Sequence, residues 1–289
     1  MSERYTMNDM QFPQTSTAKV GLYIDVENLS RSGGYGMQYN VLREFLCRDN
    51  AEPVRLNAYV SYNEERAEED EVYRRGTRDF YSALRDYGYK VIEQRVRWYT
   101  DESGARYGKA NADLYMAIDA LLQSENLDRV MLATGDGDFV SVVRALQNKG
   151  CRVEVLAFKN VDESLRCEAD LFISGFLVPN LLPIEKEWQE EGREWGCGDS
   201  QVRGTCYMFN QERGFGFMRF LYKIAPGLWI TDPRRSESPY ETAFAHGSQF
   251  PPDFDVSLLP SRDFIFEFEL SASHKKNLVA TNIRLVHEY

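Results

Sequence analysis

Apolar and polar positions follow two different rhythms along the chain. From Lys19 to about Pro183, short apolar runs alternate with stretches of helical spacing. "KVGLYIDVEN" predicts a strand ending at Asp25, "VLREFLCRD" a helix and "PVRLNAYVSY" a second strand. "EEDEVYRRGTRDFYSALRDYG" reads as one helix closed by Gly88, and "YKVIEQRVRWY" as a third strand. "NADLYMAIDALLQS", "DRVMLATGD", "DFVSVVRALQNKG" and "CRVEVLAF" continue as helix, strand, helix and strand. Such a succession builds an α/β domain around a parallel sheet with helices on both faces.

From Val202 the spacing changes to period two. "RGTCYMFNQERGFGFMRF" predicts two strands around a turn, and "YETAFAHGSQF", "RDFIFEFEL" and "NLVATNIRLV" supply more, the pattern of a small antiparallel barrel. The expected organisation is a disordered tail over 1–18, an α/β domain over 19–183, a polar linker over 184–201 and an all-β domain over 202–289.

The acidic positions give the first region its chemistry. Asp25 ends the first strand, Asp136 and Asp138 follow the fourth in "ATGDGDFV", and Asp113 starts the helix after the third. In parallel sheets functional groups gather beyond the carboxyl ends of the strands. Carboxylates meeting there repel one another and their pKa values rise unless a cation neutralises them. A hard divalent ion does so, and Mg²⁺ leaves room for phosphate oxygens. Single aspartates after strands are also common helix caps. Asp119 and Glu27 are further acids near this edge. Glu27 shares the face of Asp25 only if the strand continues.

Composition narrows the classes. A net charge of −11 argues against coating nucleic acid through bulk positive charge. Residues 204–289 carry 9 Lys+Arg and 10 Asp+Glu, so the acidity sits in the first region. The histidines (His246, His274, His287) all lie in the second region, so no imidazole accompanies the acids. Five cysteines without a C-x-x-C pair suit free thiols in a cytoplasmic protein. No apolar run predicts a membrane span or a secretory signal. "LSRSGGYGMQYN" reads as a flexible glycine-rich loop and lacks the G-K-[ST] of a phosphate-binding loop.

Two stretches suit nucleic acid. "QRVRWYTDESGARYGKAN" sets Arg95, Arg97, Arg106 and Lys109 among Trp98, Tyr99 and Tyr107. It is either a solvated hairpin-like loop or a phosphate-guiding lip beside the acids. "GFGF" puts Phe215 and Phe217 on one face of a strand, where Gly214 and Gly216 would leave the surface open for base stacking.

"GLYIDVENLS", "GKANADLYMAIDAL", "LATGDGDFVSVVRALQNKGCRVEVLAF" and "SLRCEADLFI", in that order, resemble the NYN domain, a branch of the PIN-like metal-dependent nucleases. The resemblance implies a Rossmann-like fold, Mg²⁺ or Mn²⁺ as cofactor and RNA as substrate. It implies Asp25, Asp113, Asp136 and Asp138 as metal-binding catalytic acids, with Asn28 as the polar residue of the D-x-E-N turn. "GTCYMFNQERGFGF" and "AFAH" resemble the two RNA-binding motifs of a cold-shock domain of the OB-fold class, which adds Phe244 and His246 to the stacking residues. Met208 stands where that family has tryptophan, and residues 219–243 form a longer insertion containing Trp229, Arg234 and Arg235.

The expected function is a metal-dependent endoribonuclease whose second domain holds single-stranded RNA, or single-stranded DNA as the other ligand. Homo-oligomerisation is left open and no membrane partner is expected. The alternatives are a catalytically silent RNA-binding adaptor and a metal-dependent phosphatase or nucleotide hydrolase.

Overall fold

The structure, a computed structural model, describes residues 17–101, 103–184, 194–272 and 278–289. All but two residues of the tail expected over 1–18, and residues 185–193 of the expected linker, lie outside the described residues.

The first region is a parallel sheet in the order β3-β2-β1-β6-β7-β8. Its strands are β1 (Lys19–Asp25), β2 (Glu52–Tyr62), β3 (Lys90–Arg95), β6 (Arg129–Ala133), β7 (Arg152–Ala157) and β8 (Leu171–Ser174). The central strands β1, β6 and β7 are buried almost throughout, as strands covered on both faces must be. Alternate residues serve opposite layers. Leu22, Ile24 and Met131 pack with Leu42 and Phe45 of α2 (Tyr39–Leu46). Tyr23, Val130 and Leu132 pack with Met116 and Ala120 of α5 (Ala112–Gln123) and Val143 of α6 (Val140–Asn148).

Four elements differ from expectation. The first turn after β1 is a short helix, α1 (Val26–Leu29), so Glu27 leaves the strand parity. The helix expected from Glu68 begins at Glu71 as α4 (Glu71–Asp86), and Glu68 and Glu69 instead end a separate helix, α3 (Glu64–Glu69). Asp70 takes extended backbone between them and caps α4 by accepting from the Tyr73 N–H at 2.9 Å. The long third strand breaks at Val96, and its continuation β4 (Arg97–Thr100) leaves the sheet to pair antiparallel with β5 (Arg106–Lys109). The glycine-rich loop is a packed helical turn rather than a free one. Gly34 lies against the Phe158 ring, and the Lys159 N–H donates to the Ser32 carbonyl at 2.8 Å.

The second region comprises β9 (Gln201–Asn210), β10 (Phe215–Leu221), β11 (Tyr240–His246), β12 (Ser261–Ala272) and β13 (Leu278–Glu288). Their pairings run β10-β11-β13-β12-β9 and close on β10. Val202, Cys206, Met218, Phe266 and Phe268 fill the interior. The described end of the expected linker belongs to this unit: Trp195 packs against its core and donates its indole N–H to the Leu221 carbonyl at 2.8 Å.

The two sheets share a packed boundary. Leu221, Leu228 and Ile265 join the apolar cluster of the first region. The hydroxyl of Tyr289 donates to the Phe158 carbonyl at 2.6 Å and lies 2.7 Å from Ser174 Oγ. Arg166 of α7 (Glu163–Glu168) pairs with Asp263 at 2.9 Å and stacks on Tyr289. Among the described residues no helix is long and apolar enough to cross a membrane.

Behind the sheet, Arg48 and Glu154 form a buried pair with N–O distances of 2.5 and 2.6 Å. Removing one member of such a pair strands the other charge without water. Glu154→Ala is expected to lower unfolding free energy by about 3–5 kcal/mol in urea denaturation, and unchanged stability would contradict that reading of the pair.

Candidate functional site

From β1 the chain order runs outward through β2 and β3, and from β6 it runs the other way through β7 and β8. The boundary between β1 and β6 is therefore the switch point of the sheet, where a crevice opens beyond the strand ends. Asp25 is the last residue of β1 and only 9% exposed. Its Oδ1 accepts from the Asn28 N–H at 2.9 Å, capping α1. Asp136 follows β6, and its Oδ1 accepts from the Asp138 N–H at 3.0 Å. Asn28 Oδ1 accepts from the Gly135 N–H at 2.9 Å and ties the two turns together.

Burial pushes the Asp25 carboxyl above the usual aspartate range. The hydrogen bond from Asn28 opposes that rise, and the negative charges of Glu27, Asp113 and Asp136 add to it. Asp113 enters this field from the first turn of α5. Glu27 is held by the Ser61 hydroxyl at 2.7 Å and by Arg31 at 2.5 Å. Asp138 is exposed on the turn. Asp119 is turned to the sheet, where it accepts from the Tyr59 hydroxyl at 2.8 Å.

Among the described residues no group of three or more His, Cys, Asp or Glu side chains is arranged to hold a metal ion. The donor set at the switch point fits a hard divalent ion bound differently. Mg²⁺ uses one or two direct carboxylates and completes its shell with water, and positive charge there would offset the repulsion that raises Asp25.

The glycines of "ATGDGDFV" answer to close approach, since neither has positive φ. A Cβ on Gly137 would stand 2.7 Å from Asp162 Cγ, and one on Gly135 3.0 Å from the Asn160 carbonyl oxygen. Asp162 does not stand out in the sequence as a site residue. Its Oδ1 caps α7 by accepting from Ser164 and Leu165, and its N–H donates to the Gly135 carbonyl at 3.0 Å. Asp162 followed by Glu163 in the first turn of α7 carries that capping signal.

A cleft of about 620 Å³ reaches Glu27 and is lined further by Arg31, Ser61, Asn63, Tyr73 and Trp98. The basic stretch over 95–109 does form a hairpin, β4–β5. Arg95 pairs with Glu64 at 2.9 Å, and Arg106 pairs with Glu65 at 2.6 Å while stacking on Trp98. Arg97 is exposed with no acidic partner among the described residues. The side chain of Lys109 lies outside the described residues.

On the barrel, Phe215, Phe217 and Phe244 gather outside the core, with ring centroids 5.5–6.5 Å apart. Register places Phe217 opposite Phe244 and Met208, and Phe215 opposite His246. His246 is exposed and its Nδ1 lies 2.8 Å from Ser248 Oγ. Gly216 does not open this face. It points inward, where a Cβ would stand 2.3 Å from the Met208 carbonyl oxygen. Arg234 is held by Asp232 at 2.7 Å, and Arg235 lies 3.7 Å from Glu237.

A parallel sheet whose strand order reverses between β1 and β6, with acids beyond those strand ends, defines a doubly wound α/β domain. The chain belongs to the NYN domain family, which matches residues 19–182. It is 31% identical over 163 residues to "Low amplitude and bright protein LabA" of Synechococcus elongatus, covering 54% of this chain and 83% of that protein. A solved structure of a Vibrio parahaemolyticus protein of unknown function aligns with a TM-score of 0.45 at 23% identity, over 56% of this chain and 96% of that one.

The raised Asp25 carboxyl has a sign that can be tested. A folded-state pKa above the unfolded value contributes stability at low pH that is lost as pH rises through it. Asp25→Asn keeps the capping oxygen and removes the charge. In EDTA at neutral pH the variant is expected to melt above the wild type, with the gap closing as pH falls through the raised Asp25 range. A variant that melts lower at neutral pH in differential scanning calorimetry would contradict the assignment.

Proposed function

We propose that the protein is a divalent-metal-dependent endoribonuclease, with the barrel as a single-strand binder of the OB-fold, cold-shock-like class. The observation that carries the reading is the placement of the buried Asp25 and of Asp136 at the ends of the two switch-point strands, tied together through Asn28, with Asp113 in the field of Asp25. NYN membership supports it, because that fold is nuclease-like. The five-stranded closed barrel with aromatics on its outer face supports the second part.

One or two of Asp25, Asp113 and Asp136 would hold Mg²⁺ or Mn²⁺ directly and the rest through its water shell, with Asp138 at the exposed rim to meet solvent or substrate. Such an ion activates water and offsets charge at a phosphoryl centre. The protein's own part is positional. Asn28 fixes the spacing of the two turns, and Asp25 keeps one oxygen on the Asn28 N–H. The cleft lined by Trp98 and Tyr73 would seat a base. Residues 202–289 would raise the local concentration of strand at the acids.

Asp136→Asn is expected to abolish cleavage of single-stranded RNA in Mn²⁺ or Mg²⁺ while circular dichroism stays native. Wild-type cleavage should stop in EDTA. Full activity in the variant, or cleavage surviving EDTA, would refute the metal assignment. RNA binding by a wild type that cleaves nothing under either metal would leave a non-hydrolytic RNA adaptor.

A further inference from the structure

The barrel's aromatic face does not end at Phe217. On β10 the residues Phe215, Phe217 and Arg219 alternate with buried neighbours, so all three lie on one outer face. Arg219 then lines a cavity of about 500 Å³ between the barrel and the α/β sheet, with Arg262, Thr205, Thr231, Trp229 and Tyr240. Neither arginine has an acidic partner among the described residues. Arg219 spends one N–H on the Thr231 carbonyl at 3.4 Å and stacks between Tyr207 and Tyr240. Burial and the neighbouring Arg262 both push its pKa down, so the pocket holds positive charge at a cost that an anion would remove.

This cavity continues toward the acids. Arg166, Phe172 and Tyr289 line it and also line an adjoining hollow of about 440 Å³, which reaches Val161 and Glu163. Those two flank Asp162, whose carboxylate abuts Gly137 in the turn that carries Asp136 and Asp138. Arginines with no carboxylate partner, placed beside aromatic rings, suit phosphates of a strand whose bases stack.

We propose that the boundary between the two sheets is a strand channel: Arg219 and Arg262 bind backbone phosphates of single-stranded RNA leaving the Phe215–Phe217–Phe244 face, and the groove past Arg166 and Tyr289 directs it to the Asp136 turn. The proposal rests on the reading of the barrel as a single-strand binder. It assigns the guiding cations to Arg219 and Arg262, because Arg234 and Arg235 already face Asp232 and Glu237.

The test is RNA binding by the full chain in EDTA, followed by fluorescence anisotropy over a salt series. Strands of about 4 and about 16 nucleotides span the range of single-barrel site sizes. Arg219→Gln with Arg262→Gln should weaken the long strand more than the short one. It should also flatten the log–log salt slope by roughly 0.7 for each phosphate no longer neutralised. Arg262→Glu alone, at an exposed position, should act in the same direction and guards against misfolding of the Arg219 variant. Unchanged slope and affinity for the long strand in both variants, while Phe215→Ala with Phe217→Ala loses binding, would overturn the channel and leave the barrel reading standing. A wild type that binds no single strand would overturn both. Full competition by a free mononucleotide would make the cavity a small-nucleotide pocket and also overturn the channel.

Discussion

The hydrogen bond from the Gly135 N–H to Asn28 Oδ1 joins the two turns on which the candidate site is built. Each turn is organised by its own aspartate, Asp25 capping one and Asp136 the other. The bond between them fixes how far apart those carboxylates stand. β1 and β6 are neighbours in the sheet with registered pairing from Val20–Arg129 to Ile24–Ala133, so the link begins where the ladder stops. Sheet, caps and bridge together make the switch point a rigid edge.

That rigidity carries an electrostatic cost. Asp25 is buried beside three other acids, and its carboxyl is raised as a result. The fold keeps the arrangement because the turns around it are capped and cross-linked and because the space at the glycines is filled from outside. Gly135 and Gly137 admit the Asn160–Asp162 segment so closely that a methyl group would collide with it. The same segment starts α7, whose Arg166 reaches the barrel through Asp263 and Tyr289. The acid edge and the boundary between the sheets are therefore consecutive parts of one packed surface.

Much of this is legible in the sequence where periodicity and burial coincide. The buried strands β1, β6 and β7 and the helices α5 and α6 are visible as apolar runs and 3.6-residue spacing. So are the aspartates at their ends, because polar residues after buried strands stand out. Elements whose fate depends on distant partners are not visible. The break at Asp70 looks like helix until its capping bond is seen, and β4 leaves the sheet only because β5 offers a better partner. The reason for the two glycines is hidden for the same cause: the atoms they make room for lie some 25 residues away in the chain. Arg219 is within reach of a period-two reading through Phe215 and Phe217, but its cavity exists only once the barrel docks on the α/β sheet.

The proposed function requires that Asp25, with Asp113 and Asp136 nearby, binds a hard divalent cation at the switch point. Electron paramagnetic resonance of Mn²⁺ titrated into the full chain reads it directly, since free and bound ions differ in signal. The account predicts saturable Mn²⁺ binding by the wild type that Asp25→Asn removes and that Asp119→Asn, altering an acid already engaged by Tyr59, leaves in place. Binding that is absent from the wild type, or unchanged in Asp25→Asn, would contradict it.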